Sequence, residues 1–206
     1  MYLTETLKRT FEKATGRGRP TARQARAAVE KVEPKTFRFK DDGAIPNNPD
    51  LPAVVYAQAV RLDHAADPAA VLEELFKANQ WGESWRNGIY DYVHYHSSIH
   101  EALGIARGQA RVRLGGDAGK ELDVAAGDVL VLPAGTGHHC LMESTDFLVV
   151  GAYPPAGRYD LCRGSKAEHA KALKTIPQTP LPTVDPVYGK AGPLMKLWRR
   201  CVDPMR

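Results

Sequence analysis

The sequence has no run of about 18 apolar residues, the least a membrane-spanning helix needs, so no helical membrane protein is expected. Cysteine is scarce. Cys140, Cys162 and Cys201 are odd in number, widely spaced and without a CxxC pair, which argues against a disulfide framework and for a reducing compartment. A signal peptide is not expected either, because MYLTETLKRTFEKATGRGRP carries charges where the apolar stretch belongs. Low-complexity tracts and obvious internal repeats are lacking. The absences together read as a cytoplasmic protein. What remains is ordinary globular composition, 43% hydrophobic and 25% charged. At 206 residues the chain has room for one well-cored domain and little for a second.

The net charge of +4 is unevenly placed. Residues 1–34 hold eight Lys/Arg against four Asp/Glu, so the remainder is balanced at twenty of each. This basic arm has no interleaved aromatic or base-reading motif, so a solvated helical extension is favoured over a nucleic-acid arm. Within it, Leu3, Leu7 and Phe11 fall on one stripe of a short helix over 2–14. Pro20 is placed to open a second helix through about Val32.

Further along, KTFRFK at 35–40 alternates like a first strand, DDGAIPNNPDLP is turn chemistry, and AVVYAQAV at 53–60 is β-rich. Asp67 caps a helix expected to Asn79, with Pro68 at its first position. From Gly88 to Tyr153, short β-rich segments near 89–96, 101–106, 109–114, 120–124, 127–132, 137–142 and 146–153 alternate with turn signals. That rhythm suggests a sandwich or barrel. A helix is expected over 166–174. From Ile176 the chain is proline-rich and reads as an extended arm wrapping the surface or a neighbour.

The chemistry is concentrated in GIYDYVHYHSSIHEALGIARG, residues 88–108, where His94, His96, His100 and Glu101 fall within eight positions. Residues two apart leave the same face of a strand, so His94 and His96, followed by a carboxylate, have the pattern of half a metal site. Imidazole and carboxylate together suit a divalent transition ion. On a strand starting at Glu101, parity groups Glu101 with Leu103 and Ile105, the apolar inward side. His100 then points outward with Ala102 and Gly104, as a surface residue or one standing behind the site. The closing ligand is sought at His138 or His139. His64 and His169 are assigned structural roles.

Gly88, His94, His96, Glu101 and Gly108 follow G(x)5HxH(x)4E(x)6G, and Gly127, Pro133, Gly135 and His138 follow G(x)5PxGxxH. The two motifs, in this order, resemble those of the cupin superfamily. IPNNPDLP, SWRNGIYDYVHYHS, FLVVGAYPP and DPVYGKAGPL are similar to the YjlB-type cupins, over roughly Phe37 to Trp198. The resemblance implies an all-β double-stranded β-helix (a jelly-roll barrel) with N-terminal helices and a Pro-rich C-terminal arm. The division expected is a basic helical extension, 1–34, before a single cupin domain, 35–206, with its barrel core at about 88–153. It implies a divalent metal (Fe, Mn, Ni or Zn) held by His94, His96, Glu101 and His138. Motif spacing prefers His138 to His139, and Cys140 and Met142 then share its inward face. Met142 stands where the superfamily usually has Asn.

Tyr90 and Tyr92 share parity with His94 and His96 on a regular strand, and Trp81, Trp85 and Arg86 are placed to form the mouth. No separate general base stands out, so the catalytic residues are left unassigned. The expectation is a small metal-dependent enzyme, of oxygenase or isomerase/lyase type, for a small polar or anionic metabolite. The alternative is a non-catalytic ligand-binding or sensing module. Cupin resemblance implies dimers or larger assemblies, with a homodimer the expectation.

Overall fold

The computed structural model describes residues 19–202, together with Leu7 and Thr10. The helix expected over 2–14 otherwise lies outside the described residues. Among the described residues, nine strands form two antiparallel sheets. They are β1 (Lys35–Phe37), β2 (Ala53–Tyr56), β3 (Gly82–Asn87), β4 (Glu101–Arg107), β5 (Gln109–Leu114), β6 (Lys120–Ala125), β7 (Val129–Leu132), β8 (His138–Glu143) and β9 (Leu148–Tyr153). The larger sheet runs β1-β2-β7-β4-β9-β3 and the smaller β6-β5-β8. This is the jelly-roll arrangement.

The larger sheet is covered on both faces, which is why β2, β4, β7 and β9 are close to continuous apolar runs. Alternate residues serve two cores. Leu103, Ile105, Leu130, Leu132 and Val149 face Val112, Leu114 and Cys140 of the smaller sheet, inside the barrel. Ala102, Ala106, Val129, Val131 and Val150 face outward onto helix α2 (Pro68–Ala78), with its Leu72, Leu75 and Phe76. Asp67 caps α2 through the Ala69 amide, and Pro68 opens it. Small residues on the outer face of β4 let the helix sit close: a side chain at Gly104 would come within 2.9 Å of the Phe76 ring.

Three expectations need correction. The helix after Pro20 is α1 (Ala22–Ala27), capped by Thr21 and Gln24. It stops short of Val32 because Val29 is taken up in a β-bridge with Val60. Segment 89–96 is not a strand. Residues 82–87 form β3 instead, pairing with β9, and the later segment makes single bridges, His94 with His138 and Tyr95 with Cys162. The C-terminal arm is not extended either. After α3 (Lys166–Thr175) and a 3-10 turn at Ile176–Gln178, it closes a bridge between Asp185 and Gly189 and ends in α4 (Pro193–Val202).

That arm joins the outer core of its own barrel. Val187, Leu194 and Trp198 pack there. Fully buried Asp185 accepts from the Tyr56 hydroxyl at 2.6 Å and from three amides, those of Val187, Tyr188 and Leu194. Trp81 also lies here, donating to the Val184 carbonyl at 2.8 Å. It therefore takes no part in the cavity mouth. Among the described residues no helix is long and apolar enough to cross a membrane.

Candidate metal centre

His94, His96, Glu101 and His138 line one cavity of about 340 Å3 inside the barrel, and all four are buried. They arrive on three stretches of backbone, with His94 and His96 sharing one. Glu101 opens β4 and faces inward, as parity requires. His94 and His138 face one another through a two-way bridge, His138 N–H to His94 O at 2.9 Å and the reverse at 3.2 Å. The turn before His138 is braced by IPNNPDLP. The Asn47 side chain accepts from Gly137 N–H and donates to the Lys40 and Gly115 carbonyls, while Asn48 donates to the Ala134 carbonyl. Gly135 N–H donates to His96 O at 2.7 Å, tying the same turn to the third histidine.

The imidazoles share one orientation. Nδ1 of His94 meets Tyr92 O at 3.2 Å, Nδ1 of His138 meets Thr136 O at 3.1 Å, and Nδ1 of His96 meets Asp160 O. A carbonyl only accepts, so each Nδ1 carries the ring proton and each Nε2 is left with a lone pair. One ring nitrogen from each histidine fits within a set whose members all lie within 4.8 Å of one another. Glu101 Oε2 lies 3.5 Å from His96 Nε2 and 3.3 Å from His138 Nε2, with no hydrogen-bond partner of its own. Acceptors thus face acceptors across a buried space, and only added positive charge makes that favourable.

The titration behaviour agrees. Burial, then the neighbouring His138, pushes His94 down to about 3. Burial, the largest single effect, lowers His96, but the Glu101 charge together with hydrogen bonding to Glu101 and the Asp160 carbonyl outweighs it and the net shift is upward. For Glu101, burial is overcome by His96 and His138, which hold the carboxyl well below its ordinary range. His96 and Glu101 therefore favour a cation between them. In chemistry and orientation the donor set fits a divalent transition metal.

The other candidates sort as follows. His100 points outward as expected, yet it is 1% exposed rather than a surface residue. Its Nδ1 accepts from Ala134 N–H at 3.0 Å and its ring lies against Trp198, so it supports the turn from behind. His139 pairs in register with Arg113 on the opposite face from His138. Tyr90 lines the cavity and is 41% exposed. Tyr92 stacks behind it with Arg163 over its ring, away from the cavity wall. Trp85 and Arg86 do line the cavity, but the Arg86 guanidinium is committed to Asp67 and Glu73.

Cys140 and Met142 do not line the cavity. Cys140 is buried in the barrel core beside it, its thiol pushed up to about 11 by burial and Glu143. Met142 is 71% exposed. The register of β5 on β8 passes from Val112–Cys140 to Arg111–Met142, leaving Leu141 as the extra residue of a bulge. A bulge reverses parity, and Met142 turns to solvent. Three contributors went unread in the sequence. Tyr153 and Tyr159 line the cavity. Asp160 holds His96 with its carbonyl while its carboxylate accepts from Ser97 and Ser98 amides. Only Tyr153 carried a signal, through FLVVGAYPP.

No family model matches the chain. It is 40% identical over 166 residues to YjlB of Bacillus subtilis (strain 168), an uncharacterized protein, covering 81% of this chain and 97% of that one. This chain belongs to the YjlB family of cupins. Solved structures similar to this YjlB-family cupin include the TDP-quinovose 3,4-ketoisomerase WlaRB of Campylobacter jejuni, at 13% identity and TM-score 0.36, over 43% of this chain and 74% of that one. The sugar 3,4-ketoisomerase QdtA of Thermoanaerobacterium thermosaccharolyticum stands at 15% and 0.34, over 46% and 74%. Bacillus subtilis oxalate decarboxylase stands at 18% and 0.33, over 54% of this chain and only 27% of that one. Likenesses this distant do not bear on what the cavity binds.

Proposed function

We propose that this YjlB-family cupin is a metal-dependent enzyme, of oxygenase or isomerase/lyase type, acting on a small polar or anionic metabolite. His94, His96, Glu101 and His138 would hold one divalent ion, Fe, Mn, Ni or Zn. One observation carries this reading: three imidazoles pinned at Nδ1 present lone pairs beside the unpartnered Oε2 of a buried carboxylate in a single cavity.

A bound metal would supply Lewis acidity and a template for a chelating ligand. The chain supplies the rest. Three neutral imidazoles and one carboxylate leave a divalent centre with net charge near +1, which favours an anionic or chelating ligand. Trp85, Tyr90, Tyr153 and Tyr159 form an aromatic wall that shields bound ligand from water and offers flat apolar faces. Because Arg86 is already paired, a ligand's negative charge would be met at the metal end of the cavity.

Metal analysis of protein purified without added metal, beside His96→Ala, tests the reading. Near-full occupancy after reconstitution in wild type, lost in the variant, is expected. Less than about a tenth of an ion per chain in reconstituted wild type would sink it.

A second reading, a ligand-binding or sensing cupin without turnover, is favoured by one feature. Outside the ligand set, the only carboxylate among the described cavity residues is the exposed Glu83. Buried free Cys140 and Cys162 are in keeping with a cytoplasmic setting. Cupin membership supports a homodimer, which sedimentation equilibrium would report as twice the 22.6 kDa chain mass.

A further inference from the structure

Two segments that mark the family resemblance, SWRNGIYDYVHYHS and FLVVGAYPP, meet at the cavity wall. β9 runs between β3 and β4, with Trp85 paired to Gly151 and Ala102 paired to Ala152. The antiparallel register then sets Glu101 beside Tyr153. Gly151 and Tyr153 are two apart and share a face, so Trp85, Tyr153 and Glu101 stand in a row across three adjacent strands, all on the cavity wall.

The row depends on Gly151. A Cβ there would lie 2.0 Å from Cε2 of the Trp85 ring, so only glycine lets the indole lie flat on β9. In that pose Trp85 Nε1–H donates to the Tyr153 hydroxyl at 2.9 Å. A phenol oxygen that accepts an indole N–H has its rotor fixed, with its single proton left for another acceptor. Tyr153 is buried, and the acceptor beside it is the Glu101 carboxylate.

We propose that Trp85 and Tyr153 are positioning residues for the metal-binding carboxylate: Trp85 orients the Tyr153 hydroxyl, whose proton holds Glu101 in the pose that faces His96 and His138. This rests on the metal reading above. Hydrogen-bond partners standing behind metal ligands typically contribute about 10- to 100-fold in metal affinity. The relay accounts for Trp85, Gly151 and Tyr153 together, which a plain aromatic wall does not: a wall needs rings but neither the indole N–H nor the hydroxyl.

The test measures Zn2+ and Ni2+ dissociation constants by chelator competition. Tyr153→Phe keeps the ring and loses the proton, so affinity should fall about 10- to 100-fold, with the metal-free melting temperature little changed. Trp85→Phe should move affinity the same way by less, and Gly151→Ala, which displaces the indole, should resemble Tyr153→Phe. In a Glu101→Gln background, adding Tyr153→Phe should cause no further loss, because the hydroxyl acts through the carboxylate. The d–d bands of the Co2+-loaded protein should also shift in Tyr153→Phe. Affinity within twofold of wild type in Tyr153→Phe, an unchanged Co2+ spectrum, or losses that multiply in the double variant overturn the relay. Wild-type protein that takes up no metal overturns the underlying metal reading instead, and is told apart because no variant is needed to see it.

Discussion

His100 and Glu101 are neighbours in sequence and stand on opposite faces of one sheet, and that single step decides which of them meets the cavity. Parity read this correctly; what it did not reveal was the layer lying over the outer face. His100 is sealed beneath Trp198, and burial pushes its pKa down to about 3. The sign follows from linkage. The unfolded chain takes up a proton near pH 6.5 and the folded one does not, so His100 supports folding above 6.5 and increasingly opposes it as pH falls toward 3. His100→Asn places an oxygen where Nδ1 accepts from Ala134 N–H but cannot be protonated. With chelator present, it should be less stable than wild type at pH 7 by about 1–3 kcal/mol, because the smaller amide fills less of the buried site beneath Trp198. Urea titrations at pH 7 and pH 4.5 should show that gap narrowing. Parallel losses at both pH values would show that His100 does not titrate in this window.

At the scale of elements, strands with clean period-two patterns were legible: β4, β5, β6, β7 and β9 lie within a few residues of where alternation places them. The failures share a physical cause. β3, Gly82–Asn87, has little β propensity and exists because it pairs with β9, which is tertiary context overriding local preference. Residues 89–96 have the propensity, yet they arch over the cavity and keep only isolated bridges. The bulge at Leu141 left no mark in composition, and every parity inference beyond it was inverted. Met142 makes this testable. On the inner wall, Met142→Lys would bury a charge and cost several kcal/mol; on the exposed face seen here it should change stability by no more than about 0.5 kcal/mol. Chemical denaturation of that one variant decides between the two registers.

Across the whole molecule, the two motifs and the barrel were readable because each candidate ligand sits at fixed spacing from a turn residue that folds locally. The C-terminal arm was harder, since proline content says where helices cannot continue and nothing about what the intervening residues pack against. Pro193 followed by Leu194 and Trp198, one helical turn apart, was the available signal for α4. Trp198 is 1% exposed, donates to Pro52 O at 3.0 Å and lies against His100. His100 in turn holds the Ala134 amide in the turn that delivers His138. The arm is therefore part of the barrel's outer core and backs the candidate metal centre. Trp198→Ala should cost about 3–5 kcal/mol, the range for emptying a buried aromatic site, whereas Lys196→Ala on the exposed face of the same helix should stay within about 0.5 kcal/mol. A surface strap would make the two variants alike; equal urea midpoints for both would return the arm to the periphery.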